Sequence, residues 1–369
     1  MSGPLDGIKV VDLGRVIAAP FCAMLLGDLG ADVIKVEPPG GDPVRQVRPA
    51  FANGLGGYFA NANRNKRSVV IDMRTPVGLA QLRALLADAD VLVENFRPGV
   101  LEEMGLDDEA LARDFPRLVA VRISAFGDVG PWGQRPGVDQ IVQGLAGLMA
   151  ITGTAETGPL RHGLPIADLF GAVFGALGAV SALHERSRSG RGQVVRGSLL
   201  ESALAVTSVY AGKLFAGGQD PAPEGNQHPS IAPYGLFNTS DGGVQIMVMH
   251  DRHFAAFAAL CKRPHWLNDP RFSTMAARSQ NRHAIIAEAM DAMRHRSSAE
   301  WLRLLEEADI PCGPVLTLEQ AFAHPQAQAL NMILRADGMK MPGFPLRFAR
   351  TPMELRRPPP QLGEHQDEV

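Results

Sequence analysis

One carboxylate stands inside a long apolar stretch of the chain. In "RHGLPIADLFGAVFGALGAV" (161–180), Asp168 is surrounded by small and apolar residues. Burying an unpaired carboxylate is costly, so the fold or the chemistry must account for it. One account is structural: Asp168 directly precedes a helical run, and aspartate is a favoured N-cap. The other is chemical. A helix N-terminus keeps an anion charged among apolar neighbours, and a partly desolvated carboxylate facing a cleft is a nucleophile. The two do not exclude one another. Gly171, Gly175 and Gly178 follow, and would let another backbone or a ligand approach closely.

Other polar groups are candidates for binding. "NANRNKRSVVIDMR" (61–74) sets Arg64, Lys66, Arg67 and Arg74 around a strand pattern. The cluster is either a solvated basic edge or a phosphate-contact surface, since Arg and Lys suit phosphate oxygens. "VENFRPG" (93–99) places polar groups at the end of a strand, where open α/β sheets bind ligands, or simply makes a turn. Glu37 ends the second strand, the place of a ribose-binding acid in dinucleotide folds. The first turn reads "DLGRVIAAP" rather than G-x-G-x-x-G, which argues against a nicotinamide or flavin. Cys22, Cys261 and Cys312, like His162, His228, His250 and His253, lack metal-ligand spacing, and no metal is expected. No G-x-S-x-G elbow is present.

The elements that must position these groups alternate. "IKVVDLG" (8–14), "DVIKVEPPGGDP" (32–43), "RSVVIDM" (67–73), "DVLVENF" (90–96) and "LVAVRISAF" (118–126) are strand patterns, separated by helical ones. "TPVGLAQLRALLADA" (75–89) opens with a Thr cap and Pro at the first helical position. A doubly wound α/β sheet is expected. Further helices are expected over 139–153 and from the opening stretch to "HERSRSG", and "QVVRGSLLESAL" (193–204) reads as strand into helix. A Gly/Pro-rich loop near 217–235 marks a domain boundary, followed by a hairpin with an Asp-Gly turn and a small α+β domain. "IPCGPVLTLEQAF" reads as the return of the large domain.

The chain of 369 residues has room for two domains, and its formal net charge of −3 gives no reason to expect nucleic acid or an anionic membrane. Residues 164–183 are long enough to span a bilayer, but their Gly/Ala content and Asp168 favour a buried helix. Scattered cysteines and no signal-peptide pattern point to a reducing, cytoplasmic location.

The opening "PLDGIKVVDLGRVIAAPFCAMLLGDLGADVIKVEPPGGD" resembles that of the class III CoA-transferases, the formyl-CoA and carnitine CoA-transferase family. So do "NRNKRSVVIDMRTPVG", "DVLVENFRPGVLEEMGL", "SGRGQVV", "IPCGPV" and "LGEHQDEV", in order along the chain. The resemblance implies a doubly wound, Rossmann-like large domain (1–215 plus 310–369) with a smaller α+β domain (220–305), in an interlocked homodimer. It implies transfer of CoA from an acyl-CoA donor to a free carboxylic acid. "GLPIADLFGA" matches the family's nucleophile motif, giving Asp168 attack on the thioester. Acyl-CoA and an acid are then the substrates, with no tightly bound cofactor. Ile17 and Ala18 fall where the family lines the thioester end. Ile71, Asp72, Met73 and Arg74, then Asn95, Phe96 and Arg97, match its CoA-binding segments, and Gly137, Val138 and Asp139 match a segment touching CoA and the acyl adduct.

The chain also departs from that pattern. Ile17 replaces a glutamine of the formyl-CoA transferases, Pro38 and Glu103 replace arginines, and Pro136 replaces a lysine. Arg45, Arg97 or Arg135 are then the candidate cations for adenine and phosphate. "GNQHPSIAPYG" (225–235) stands where those enzymes carry consecutive glycines, so an acid other than oxalate is expected. The related α-methylacyl-CoA racemases need a histidine where this chain has Val138, which cannot act as a base. A racemase-like enzyme and a non-catalytic CoA-binding protein remain the alternatives.

Overall fold

A computed structural model describes residues 3–369. The chain forms two compact units. The first comprises Met1–Ala150, Arg161–Pro221 and Pro325–Val369; the second comprises Ile151–Leu160 and Ala222–His324.

The first unit is built on six strands: β1 (Lys9–Asp12), β2 (Asp32–Glu37), β3 (Lys66–Val70), β4 (Val91–Glu94), β5 (Val119–Ser124) and β6 (Val194–Ser198). Their order is β3-β2-β1-β4-β5-β6 and every pairing is parallel. This is the doubly wound, Rossmann-like order, with its topological switch point between β1 and β4. Apart from β3, each strand alternates its apolar residues between two cores. Val10, Val33, Val91 and Val121 pack under helices α1 (Ala18–Asp28) and α4 (Ile166–Ser189). Val11, Val36, Leu92 and Ala120 face the other way, toward α2 (Pro76–Ala87). Thr75 caps α2 through the Gly78 amide, with Pro76 at the first position, as the sequence predicts. The expected helix over 139–153 is shorter: α3 spans Asp139–Leu145, and Gly147 at φ 78° lies just beyond its end.

α4 is the single described helix long and apolar enough to cross a membrane. One face of it, with Ala167, Gly171, Ala172, Gly175, Ala176, Ala179 and Ala182, is buried. The glycines serve that packing rather than a ligand. A Cβ at Gly171 would meet Leu199 at 2.9 Å, one at Gly175 would meet Ile123 at 2.9 Å, and one at Gly178 would meet Val195 at 2.6 Å. The tail motif "LGEHQDEV" closes the β3 edge of the sheet. The His365 amide donates to the Ser68 carbonyl, and Gln366 accepts from the Val70 amide.

In the second unit β7 (Tyr234–Asn238) and β8 (Gly243–Met247) form the expected hairpin, and β9 (Cys312–Pro314) adds antiparallel to β8. "IPCGPV" therefore extends the small sheet instead of returning to the large one. The second unit continues to His324 because β9 finds its backbone partners on β8. Residues 151–160, read from the sequence as part of the large domain, also belong to it. Phe237, Phe254, Phe257, Trp266 and Trp301 fill its core. The 225–235 segment is ordered by a two-pronged Arg282–Glu224 ion pair and by His228 stacked on Tyr234 at 4.7 Å.

Candidate active site

Open α/β sheets bind ligands beyond the carboxyl ends of their strands at the switch point. There the loops after β1 and β4 are tied together. Asn95 Oδ1 accepts from the Arg15 amide at 2.8 Å, and its Nδ2 donates to the Arg15 carbonyl at 2.9 Å. Two clefts open on this junction. One, of about 370 Å³, is lined by Arg15, Pro38, Asp72, Met73, Arg74, Asn95, Phe96, Arg97, Val100 and Met104. The other, of about 270 Å³, shares Asn95, Phe96 and Arg97 and adds Arg135, Gly137 and Val138. Gly137 is required by closeness: a Cβ there would lie 2.6 Å from both Ala125 and Phe126.

Eight of the expected binding residues thus line one continuous region. Ile71 does not: it is buried and lines a separate cavity against α2. Ile17 and Ala18 are also buried, at the start of α1, so their side chains form part of the wall rather than a lining.

The cations sort themselves by partner. Arg74 is exposed and makes a two-pronged pair with Asp72, both contacts at 2.8 Å. Arg15 lies over the Phe96 ring at 5.3 Å and Arg135 over Trp132 at 4.3 Å. The other members of the basic cluster are committed to the fold. Arg64 is buried against Asp28, Lys66 against Asp12, and Arg67 pairs with Asp32. Arg45 is equally spent, held by both oxygens of Glu37 and by the Pro360 carbonyl. Glu37 cannot serve a ribose either, since it accepts from Arg45, Ser68 and the Asp42 amide. Arg15 was the cation missed in the sequence; its place in the turn directly after β1 was the available signal.

Asp168 is the third residue of α4, within its first turn rather than at its cap; Pro165 holds the cap position. The capping is supplied from α3. Asp139 Oδ1 accepts from the Ala167 amide at 2.8 Å and the Asp168 amide at 3.2 Å. Asp139 Oδ2 accepts from Gln143 Nε2 at 2.6 Å, and Gln143 Oε1 accepts from the His162 amide at 2.8 Å. The fully buried Gln143 therefore pins the segment leading into Asp168; its i+4 spacing from Asp139 was the only sequence hint.

Burial first, and then the Asp139 charge, push the Asp168 carboxyl up to about 7. A carboxylate with that basicity is weakly solvated and more nucleophilic than an exposed one, yet half ionised near neutrality. Cys22, by contrast, is buried in the core, and burial pushes its thiol far above neutrality.

A Rossmann-like sheet with clefts at its switch point is the architecture of a ligand-binding α/β protein, and the basic carboxylate of Asp168, which lines neither of these two clefts, stands in the first turn of α4. The comparisons make this specific. The chain belongs to CoA-transferase family III, whose profile matches residues 5–366. It is 36% identical to the succinyl-CoA:glutarate CoA-transferase of Mus musculus, over 98% of this chain and 84% of that protein. It is 37% identical to the succinate–glutarate CoA-transferase of Agrobacterium fabrum, over 99% and 94%. A crystal structure of a CaiB/BaiF family protein from Brucella suis superposes with a TM-score of 0.92 at 36% identity, covering 100% of this chain and 98% of that one.

Proposed function

We propose that this CoA-transferase moves CoA from an acyl-CoA to a dicarboxylic acid by way of Asp168. The observation that carries the reading is the carboxyl of Asp168, raised to about 7 and, among the described residues, with no cation paired to it that would quench its nucleophilicity. The carboxylate attacks the thioester carbonyl, releasing CoA thiolate and leaving an aspartyl–acyl anhydride. The thiolate then attacks the aspartyl carbonyl, which releases the donor acid and leaves CoA on Asp168 as a thioester. The acceptor carboxylate displaces that thiolate to form a second anhydride. Thiolate attack on the acceptor carbonyl yields the new acyl-CoA and restores the aspartate. Each step exchanges one acyl bond for another.

The CoA nucleotide end is assigned to the cleft of Arg15, Arg74 and Arg97 because of its cations, and the pantetheine arm to the smaller cleft past Gly137 and Val138. The dicarboxylate class is supported by relatives named for glutarate, oxalate and D-citramalate. A homodimer is supported by Val173, Phe174 and Leu177, which leave an apolar face of α4 exposed. The test is an exchange assay of succinyl-CoA and acetyl-CoA against a dicarboxylate panel. Acid-dependent formation of a new acyl-CoA is expected. Hydrolysis alone, or exchange of the α-proton without CoA transfer, would refute the reading.

A further inference from the structure

Four charged side chains lie together beneath the loop that follows β1. Asp12, Lys35 and Lys66 are fully buried, and Asp42 is 2% exposed. Lys66 Nζ donates to Asp12 at 2.7 Å, to Asn63 at 2.8 Å and to the Pro20 carbonyl at 2.7 Å. Lys35 Nζ lies 3.2 Å from Asp42 and 3.9 Å from Asp12, and donates to the Gly14 carbonyl at 2.8 Å. Asp12 accepts from the Gly14 amide at 2.8 Å, and Asp42 from the Val16 amide at 3.2 and 3.3 Å.

The segment above is therefore fixed group by group. Gly14 is held at both its N–H and its C=O, Val16 at its N–H, and Pro20 at its C=O. Asn95 holds both backbone groups of Arg15 from across the switch point. Hydrophobic packing does not require this. A buried charge cluster is costly to assemble and is weak evidence for stability alone.

The loop explains the expense. Val16 has φ 67°, a left-handed conformation that is a genuine outlier for a β-branched residue. Its side chain is 44% exposed, so no packing of that side chain imposes the conformation. Such strain persists where the surroundings over-determine it, and it concentrates at ligand-binding sites. Arg15, its neighbour, lines the cleft.

We infer that the buried Asp12–Lys35–Lys66–Asp42 quartet is a positioning device, which holds the strained Gly14–Val16 loop in the conformation that receives CoA. The four residues touch no substrate; they act through the backbone of the loop. The inference rests on the proposed CoA cleft, but not on Asp168 as nucleophile.

The experiment measures the Kd for CoA by calorimetry and the KM values for acyl-CoA and acid. Asp42→Ala frees the Val16 amide and lets Val16 relax to negative φ. The CoA Kd and the acyl-CoA KM are expected to rise about tenfold, the ratio set by the cost of the left-handed conformation, with the acid KM little changed. Adding Val16→Gly to Asp42→Ala is expected to recover most of that loss without recovering Tm, because glycine adopts the conformation unaided. A purely structural role for Asp42 predicts the reverse, with affinity following Tm. Unchanged affinity in Asp42→Ala, or no recovery in the double variant, overturns the inference.

If Asp42→Ala does not fold, Asp42→Asn decides, since the amide oxygen can still accept from the Val16 amide while the charge pair with Lys35 is lost. A lowered Tm with a CoA Kd near the native value supports the clamp; a Kd that rises along with the fall in Tm overturns it. Repeating the CoA titrations in Asp168→Asn separates the two proposals. Retained exchange activity there would sink the nucleophile, while the titrations still judge the clamp.

Discussion

Replacing Asp168 by asparagine should abolish transfer and make the protein more stable, by an amount that depends on pH. The isolated aspartate carboxyl titrates at 3.8; in the folded protein burial and Asp139 raise it to about 7. Between those values the folded protein holds a proton that the unfolded chain has released. Stability therefore falls as pH rises through that window and levels off above 7. At pH 8 the whole difference is expressed, roughly 4 kcal/mol at about 1.4 kcal/mol per pH unit. At pH 5 the folded carboxyl is already neutral and only roughly 2 kcal/mol is expressed. Asparagine never ionises, so its gain over the native residue should be larger at pH 8 by roughly 2–3 kcal/mol, or about 3 °C in Tm for a chain of this length. Any packing cost of the amide is the same at both pH values and cancels. The assay is thermal unfolding of both proteins at pH 5 and pH 8. Equal shifts at the two pH values, or a smaller gain at pH 8, would refute the assigned electrostatics.

Three further outcomes follow from the geometry. Arg74→Ala should raise the KM for acyl-CoA far more than that for the acid, with kcat little changed, if Arg74 at its exposed cleft edge supplies uniform binding to CoA as proposed; steady-state kinetics on both substrates checks this. kcat/KM should rise with pH to a plateau above about 7 as Asp168 ionises. Glu94→Gln should leave that limb in place, although burial also pushes the Glu94 carboxyl up to about 7; disappearance of the limb would move it to Glu94. Gln143→Ala should lower kcat by more than tenfold, because Asp139 and the His162 amide lose the group that joins them; its Tm should fall by a few degrees, as for other buried hydrogen-bond losses.

Much of the large unit was legible because its signals are local. Strands β1 to β6 are short apolar runs bounded by turns, and Thr75-Pro76 announces a helix start. The residues singled out by the family resemblance at Asn95–Arg97, just after β4, and at Gly137–Val138, just before α3, do line the two clefts. What failed was pairing across distance. Arg45, Arg64, Lys66 and Arg67 read as available cations until their carboxylates, on other strands and loops, are placed against them. "IPCGPV" is a strand in either sheet, and only its partner β8 decides which. Asp168 read as its own cap because the true capping group, Asp139, lies 29 residues earlier.

The most direct test of the account follows oxygen. With an acceptor acid labelled with ¹⁸O in its carboxylates, the proposed sequence leaves one acceptor oxygen on the enzyme carboxylate in each turnover. Peptide mass spectrometry after a single turnover should find a gain of one ¹⁸O on Asp168 and nowhere else. An unlabelled enzyme, which direct transfer between the two acids would give, or label on a different carboxylate, would contradict it.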